Sequence, residues 1–146
     1  LRLYLFDQGI DFPFSTPRSP AGRSDIVGLI DTSAPLIMEI KVYDKEKNYR
    51  KNRIISGFSQ IVRYTADYNK HVGYLTVFNL DQIEIEIEQQ QAGNRFPYSI
   101  EFNGKIFYLI IINLNTDTSA SKVGKLPVER ILLEELYQGV EQVNIS

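Results

Sequence analysis

Cysteine is absent from this 146-residue chain, and histidine occurs once. Without cysteine there are no disulfides, no thiol nucleophile and no thiolate metal site, and the composition fits a reducing, cytoplasmic setting. His71 alone rules out multi-histidine zinc sites and leaves a Ser-His-Asp triad only one candidate base. Beside the predicted helix end, His71 reads as a C-terminal cap rather than a base. No Gly-x-x-x-x-Gly-Lys-Ser/Thr loop occurs, so no P-loop is signalled. Long hydrophobic runs are missing too. The longest, Ile106 to Ile112, has the length of a buried strand and falls far short of the roughly 20 residues of a membrane span. No signal-peptide pattern opens the chain, and its first residue is Leu rather than Met, which points to a piece of a longer polypeptide.

What is present describes one folded domain over residues 1–146, with hydrophobic content of 43% and only six prolines. Its core is expected at about 22–79, with a β-hairpin and helix following over 80–146. Asp25–Ile30 and Leu36–Tyr43 are apolar runs joined by five residues, the pattern of an antiparallel hairpin. Ile54 to Asn69 has helical period, with Ile54, Phe58, Ile61, Thr65 and Tyr68 on one stripe widened by Ile55 and Val62. Gly73–Phe78 is the next strand, expected beside the hairpin. Ile83, Ile85 and Ile87 alternate with Glu84, Glu86 and Glu88, predicting a strand with one solvated face. Asn103-Gly104 between Tyr98–Phe102 and Lys105–Leu114 is a two-residue hairpin signal. Pro127 is placed to open a helix that turns Val128, Ile131, Leu132 and Leu136 inward and ends near Gly139. The sum is an α/β fold built on a mixed sheet.

The net charge of −2 hides a polarised chain. Lys41 to Arg53 holds six cations (Lys41, Lys45, Lys47, Arg50, Lys51 and Arg53) against Asp44 and Glu46, a local +4. Such a block, with Tyr43 and Tyr49 in it, suits either a solvated loop or a surface that tracks phosphates. Asp25, Glu39 and Lys41 stand just before it. With the hairpin centred near Thr32–Ser33, residues that face each other have numbers summing to about 64–66, so Asp25 lies opposite a residue between Glu39 and Lys41. Glu39 and Lys41 share one strand face, and Met38, Ile40 and Val42 share the other. Cross-strand Cβ atoms lie roughly 4.5–5.5 Å apart, which lets two carboxylates share a hard cation such as Mg²⁺. The carbonyl of Ile40 is a further candidate ligand. Such a cation neutralises a phosphodiester and lowers the pKa of a bound water, while Lys41 orients that water or balances developing charge. Arg23, two residues before Asp25, is a candidate contact to the scissile phosphate. Gln60 and Tyr64 are neighbours at i and i+4 on the helix, off its apolar stripe beside Arg63 and Asp67.

Gly22-Arg23-Ser24-Asp25, Glu39-Ile40-Lys41 and Gln60-Ile61-Val62-Arg63-Tyr64 together resemble the PD-(D/E)xK nuclease superfamily. The last segment is similar to the Q-x-x-x-Y element of its RecB-type branch. The resemblance covers about Gly22 to Phe78, and it implies a restriction-endonuclease-like core, a mixed sheet flanked by helices. It implies that Asp25 and Glu39 bind Mg²⁺ or Mn²⁺, that Lys41 assists catalysis, and that Gln60 and Tyr64 position a substrate, DNA before RNA. Ser24 stands where that family has proline, and only Asp7 and Asp11 precede Asp25 as acids. The first core helix of the family is shortened or missing. Alternatives from other classes are a nucleic-acid-binding or protein-assembly module that keeps the fold without cleaving, and an interaction domain docking a partner through Tyr98–Gly139.

Overall fold

Strict alternation in Leu36–Tyr43 sends Ile37, Glu39, Lys41 and Tyr43 to one side and Met38, Ile40 and Val42 to the other, and this strand organises the fold. The computed structural model describes residues 18–19, 22–23, 26–28, 36–88, 97–114 and 125–144. In chain order the elements are β1 (Arg18–Ser19), β2 (Gly22–Arg23), β3 (Ile26–Gly28), β4 (Leu36–Tyr43) and α1 (Lys51–Asp67). They continue as β5 (Val72–Asn79), β6 (Glu84–Ile87), β7 (Tyr98–Phe102), β8 (Lys105–Asn113), β9 (Val128–Ile131) and α2 (Leu133–Asn144). The protein is thus α/β. Four long strands form a mixed sheet in the order β4-β5-β8-β7, with the three-residue β3 along the β4 edge. The β4/β5 and β5/β8 pairs are parallel, whereas β3/β4 and β7/β8 are antiparallel. A two-stranded parallel sheet, β6-β9, stands beside it, and β1-β2 form a short ribbon.

The expected hairpin is present and its register is sharp. Ile26 faces Met38, Val27 faces Ile37 and Gly28 faces Leu36, so every described pair sums to 64. The second hairpin also forms as expected, with Asn103 at φ 50° and Gly104 at φ 70° in the left-handed region that a two-residue turn requires. The parallel β4/β5 pair needs a crossover, and α1 supplies it.

Helix α1 begins at Lys51 rather than Ile54, because the charged Lys51-Asn52-Arg53 forms its first turn without any side-chain cap. Of its stripe, Ile54, Phe58, Ile61 and Thr65 are fully buried against the sheet, as the periodicity requires, and Tyr68 near the helix end is half-buried. At its C-terminal end Lys105 Nζ donates to the Thr65 carbonyl at 2.8 Å, and burial lowers the pKa of that amine. Lys105 therefore takes the capping role expected of His71, which is exposed at the mouth of β5.

The C-terminal prediction needs correction. Val128 to Ile131 is a strand, not the start of a helix, and pairs in parallel with β6. Val128 and Leu132 are 42% and 41% exposed, so of the four residues expected inward only Ile131 and Leu136 are buried. The edge of β6 decides the matter: Glu84 and Glu88 donate their N–H groups to the carbonyls of Pro127 and Ile131, each at 2.9 Å. Helix α2 then starts where two carboxylates take up its first donors. Glu135 Oε2 accepts from Leu132 N–H and Glu88 Oε2 from Leu133 N–H, both at 2.8 Å. Lys51, ion-paired to Glu135 at 2.6 Å, is the main cause of that carboxyl's lowered pKa.

Gly139 does not end α2, which runs on to Asn144. It is the point where α2 crosses α1, and an added Cβ there would overlap Ile55 Cγ2. Ser59 Oγ reinforces the crossing by donating to the Gly139 carbonyl at 2.9 Å. Gly139→Val is expected to destabilise the protein by about 1–3 kcal/mol through overpacking, measured by urea unfolding. An unchanged midpoint would show that the helices part without penalty.

Candidate active site

The face of β4 that carries Ile37, Glu39, Lys41 and Tyr43 is the one α1 covers. Ile37 and Tyr43 bracket the two charged residues and are fully buried. Glu39 is only 2% exposed, and the Lys41 side chain 11%. On the β5 side their register partners are Leu75 and Val77, which set hydrocarbon beside the charges there. Lys41 Nζ donates to Glu39 Oε1 at 2.5 Å. The two-residue period of the strand dictates this pairing, and the apolar surroundings strengthen it.

Lys41 reaches this position because α1 has no side chain above it at Gly57. A Cβ on Gly57 would lie 2.8 Å from Lys41 Cγ and from Leu75 Cδ1, and 3.2 Å from Lys41 Cε. The lysine stem therefore lies directly under the helix backbone. A glycine at a helix centre, unfavourable by about 1 kcal/mol relative to alanine, is the signal that marks such a close approach.

The other expected site residues are distributed as follows. Ile40 follows on the opposite face of β4, half-buried, with Thr76 as its register partner. Gln60 lies on α1, one turn beyond Gly57, half-buried, and its Oε1 is shielded from solvent without a hydrogen-bond partner among the described residues. Arg63 Nε and Tyr68 OH, farther along the same helix, share that condition. Tyr64 departs from expectation. It is 1% exposed and part of the hydrophobic core rather than a polar flank, because the apolar stripe is wide enough to include it. Arg23 sits on β2, in the ribbon apart from the main sheet, with Arg18 as its register partner. Asp25 lies outside the described residues, as does the stretch Asp31–Pro35 expected to turn the hairpin.

The structure thus brings Glu39 and Lys41 together and sets α1, with Gly57, over them. Among the described residues no three His, Cys, Asp or Glu side chains converge. Beyond the pair, Tyr43 OH donates to Glu129 Oε2 at 2.9 Å and joins β4 to β9. Burial first, and then the Glu129 carboxylate, pushes the Tyr43 pKa up, so the phenol keeps its proton and remains a donor. Buried Asn79 joins three elements: its Nδ2 donates to the Ile83 carbonyl at 2.9 Å and to Asn113 Oδ1 at 2.8 Å, and its Oδ1 accepts from Asp81 N–H. No helix of the described residues is long and apolar enough to cross a membrane. No family model, curated protein or solved structure matches the chain.

Proposed function

We propose that this chain is a metal-dependent nuclease domain of the PD-(D/E)xK type that hydrolyses phosphodiester bonds, in DNA ahead of RNA. One observation carries the reading: a carboxylate and an ammonium are buried together, at 2.5 Å, on the helix-covered face of a sheet strand. Buried ion pairs are poor stabilisers, since desolvation offsets most of their attraction. A pair kept at such a cost, under a glycine that makes room for it, is better accounted for by chemistry than by stability. The order β3-β4-α1-β5, with an antiparallel and then a parallel pairing, is also the order of a restriction-endonuclease-like core.

In this reading Glu39 and Asp25 hold Mg²⁺ or Mn²⁺, with the Ile40 carbonyl as a further ligand. The donors are hard oxygens, which suit those ions. When bound, such an ion neutralises the phosphate and lowers the pKa of a water. The chain's own groups do the rest. Glu39 fixes the position of Lys41 through their hydrogen bond. The Lys41 ammonium places a positive charge where negative charge develops on the phosphoryl oxygens, in a setting where little of its side chain meets solvent. Gln60, with its buried amide oxygen lacking a partner among the described residues, and Arg23 are the proposed substrate contacts. Tyr64, from within the core, holds the register of α1 over the strand.

The test is direct. Plasmid, linear duplex and single strands are incubated with the protein with and without Mn²⁺. Cleavage that appears with the metal and disappears with a chelator is the expected outcome. Binding without cleavage under every metal condition would favour the non-cleaving nucleic-acid module.

A further inference from the structure

We propose that the turn joining β4 to α1 is a contact surface for a nucleic-acid backbone that extends the footprint of the Glu39–Lys41 pair to one side. The proposal shares the nucleic-acid substrate of the preceding reading but does not require cleavage.

Six cations lie between positions 41 and 53, and the structure separates them into two groups. Lys41 is paired to Glu39, Lys47 to Asp44 at 3.4 Å, and Lys51 to Glu135. Lys45, Arg50 and Arg53 make no ion pair among the described residues, and all three are exposed. Of the nearby acids, Asp44 and Asp81 are turned to internal use, while Glu46 is exposed. Asp44 Oδ1 accepts from the N–H groups of Glu46 and Lys47, and Asp81 Oδ2 accepts from Lys45 N–H at 2.8 Å.

The surface is also held in shape. Asp44 and Tyr49 exchange backbone hydrogen bonds of 2.7 and 2.8 Å, and Asn48 takes the left-handed conformation, φ 59°, that closes the turn. The Arg53 guanidinium lies 4.3 Å from the centre of the Tyr49 ring, while Tyr49 keeps 36% of its surface exposed. A stacked guanidinium loses less freedom when it binds a phosphate than a free one does. A solvent-facing aromatic beside cations is the device by which proteins hold nucleic-acid strands.

Position selects the occupant. Lys45 follows Lys41 by four residues, roughly 13 Å in extended chain. Arg53 precedes Gly57 by one helical turn, and Gly57 covers Lys41. Both ends of the turn therefore lead to the pair. Lys45, Arg50 and Arg53 offer a nucleic-acid strand charge for its phosphates, and the exposed Tyr49 ring beside them offers a face for a base. An anionic lipid surface or an acidic protein would use the cations but would leave the exposed Tyr49 ring without a base to stack on.

The experiment compares wild type, the variant K45A/R50A/R53A and the exposed-charge control K125A/R130A. Binding of a short labelled duplex and of its single strands is followed across a salt series in Ca²⁺, with thermal melts confirming that each variant folds. The triple variant should bind at least about tenfold more weakly near 0.1 M salt, and its slope of log K against log[salt] should be shallower by about 2–3. The control should follow wild type. Equal affinity and slope in the triple variant would overturn the proposal. So would wild-type protein that binds neither duplex nor single strands, or that uses these residues only on vesicles of equal phosphatidylcholine and phosphatidylserine. Turn-dependent binding by a protein that never cleaves in Mn²⁺ would leave the surface standing and remove the nuclease reading alone.

Discussion

Glu39→Gln and Lys41→Ala are each expected to reduce Mn²⁺-supported cleavage by about 100-fold or more, the range seen when one electrostatic stabiliser is removed from a reacting centre. Binding of the substrate should change far less, because the exposed cations of the β4–α1 turn remain. Stability complicates Lys41→Ala. Removing one member of a buried pair costs about 3–5 kcal/mol, since the carboxylate stays buried without its ammonium. The double variant Glu39→Leu/Lys41→Met separates the two effects. Its apolar side chains suit the walls formed by Leu75 and Val77, so urea unfolding should give a stability near that of wild type. Its activity should remain absent. A double variant that recovers cleavage along with stability would reduce the pair to a structural feature.

The second large effect concerns the helix that covers the pair. Phe58→Ala is expected to lower stability by about 3–5 kcal/mol, read from urea unfolding. Phe58 is fully buried at the centre of α1 and meets two aromatic rings edge-on: Phe107 at 5.4 Å and 70°, and Phe102 at 6.1 Å and 71°. Truncation loses both contacts and leaves a cavity that α1 cannot close without moving Gly57 off Lys41. The variant should therefore lose activity at temperatures where it is still folded. A loss under about 1 kcal/mol would mean that the helix seats on the sheet by other contacts.

Strand β4, helix α1 and both hairpins were legible because each has a short-range signature. Period two places Glu39 and Lys41 on one face, period 3.6 buries Ile54, Phe58 and Ile61, and Asn103-Gly104 supplies positive φ. The C-terminal region was misread for an equally physical reason. Val128, Ile131, Leu132 and Leu136 have helical spacing, and Pro127 fits a first helical residue. What makes Val128–Ile131 a strand is the free edge of β6, over forty residues away in sequence, and no local pattern reports that edge. Gly139 looked like a stop signal and is a crossing point.

Within the candidate site the legible part was the strand chemistry. The proximity of Glu39 to Lys41 followed from alternation alone, whereas their burial did not, because charged residues are expected at the surface unless paired. Tyr64 falls beside Arg63 and Asp67 on the helical wheel, which suggests a polar flank, while its ring is large enough to join the core. Gly57 was overlooked because a lone helical glycine has meaning only once its neighbour across the interface is known. The β3/β4 register agrees with the expected pairing sum, and Asp25 itself remains the residue on which the metal proposal turns.

Mn²⁺ binding by wild type, Asp25→Asn and Glu39→Gln, followed by electron paramagnetic resonance of the free ion, tests the two-carboxylate proposal without relying on activity. Wild-type protein should take up Mn²⁺, and each substitution should weaken that uptake by about tenfold or more. Equal uptake in all three proteins, or none in wild type at millimolar Mn²⁺, would contradict it.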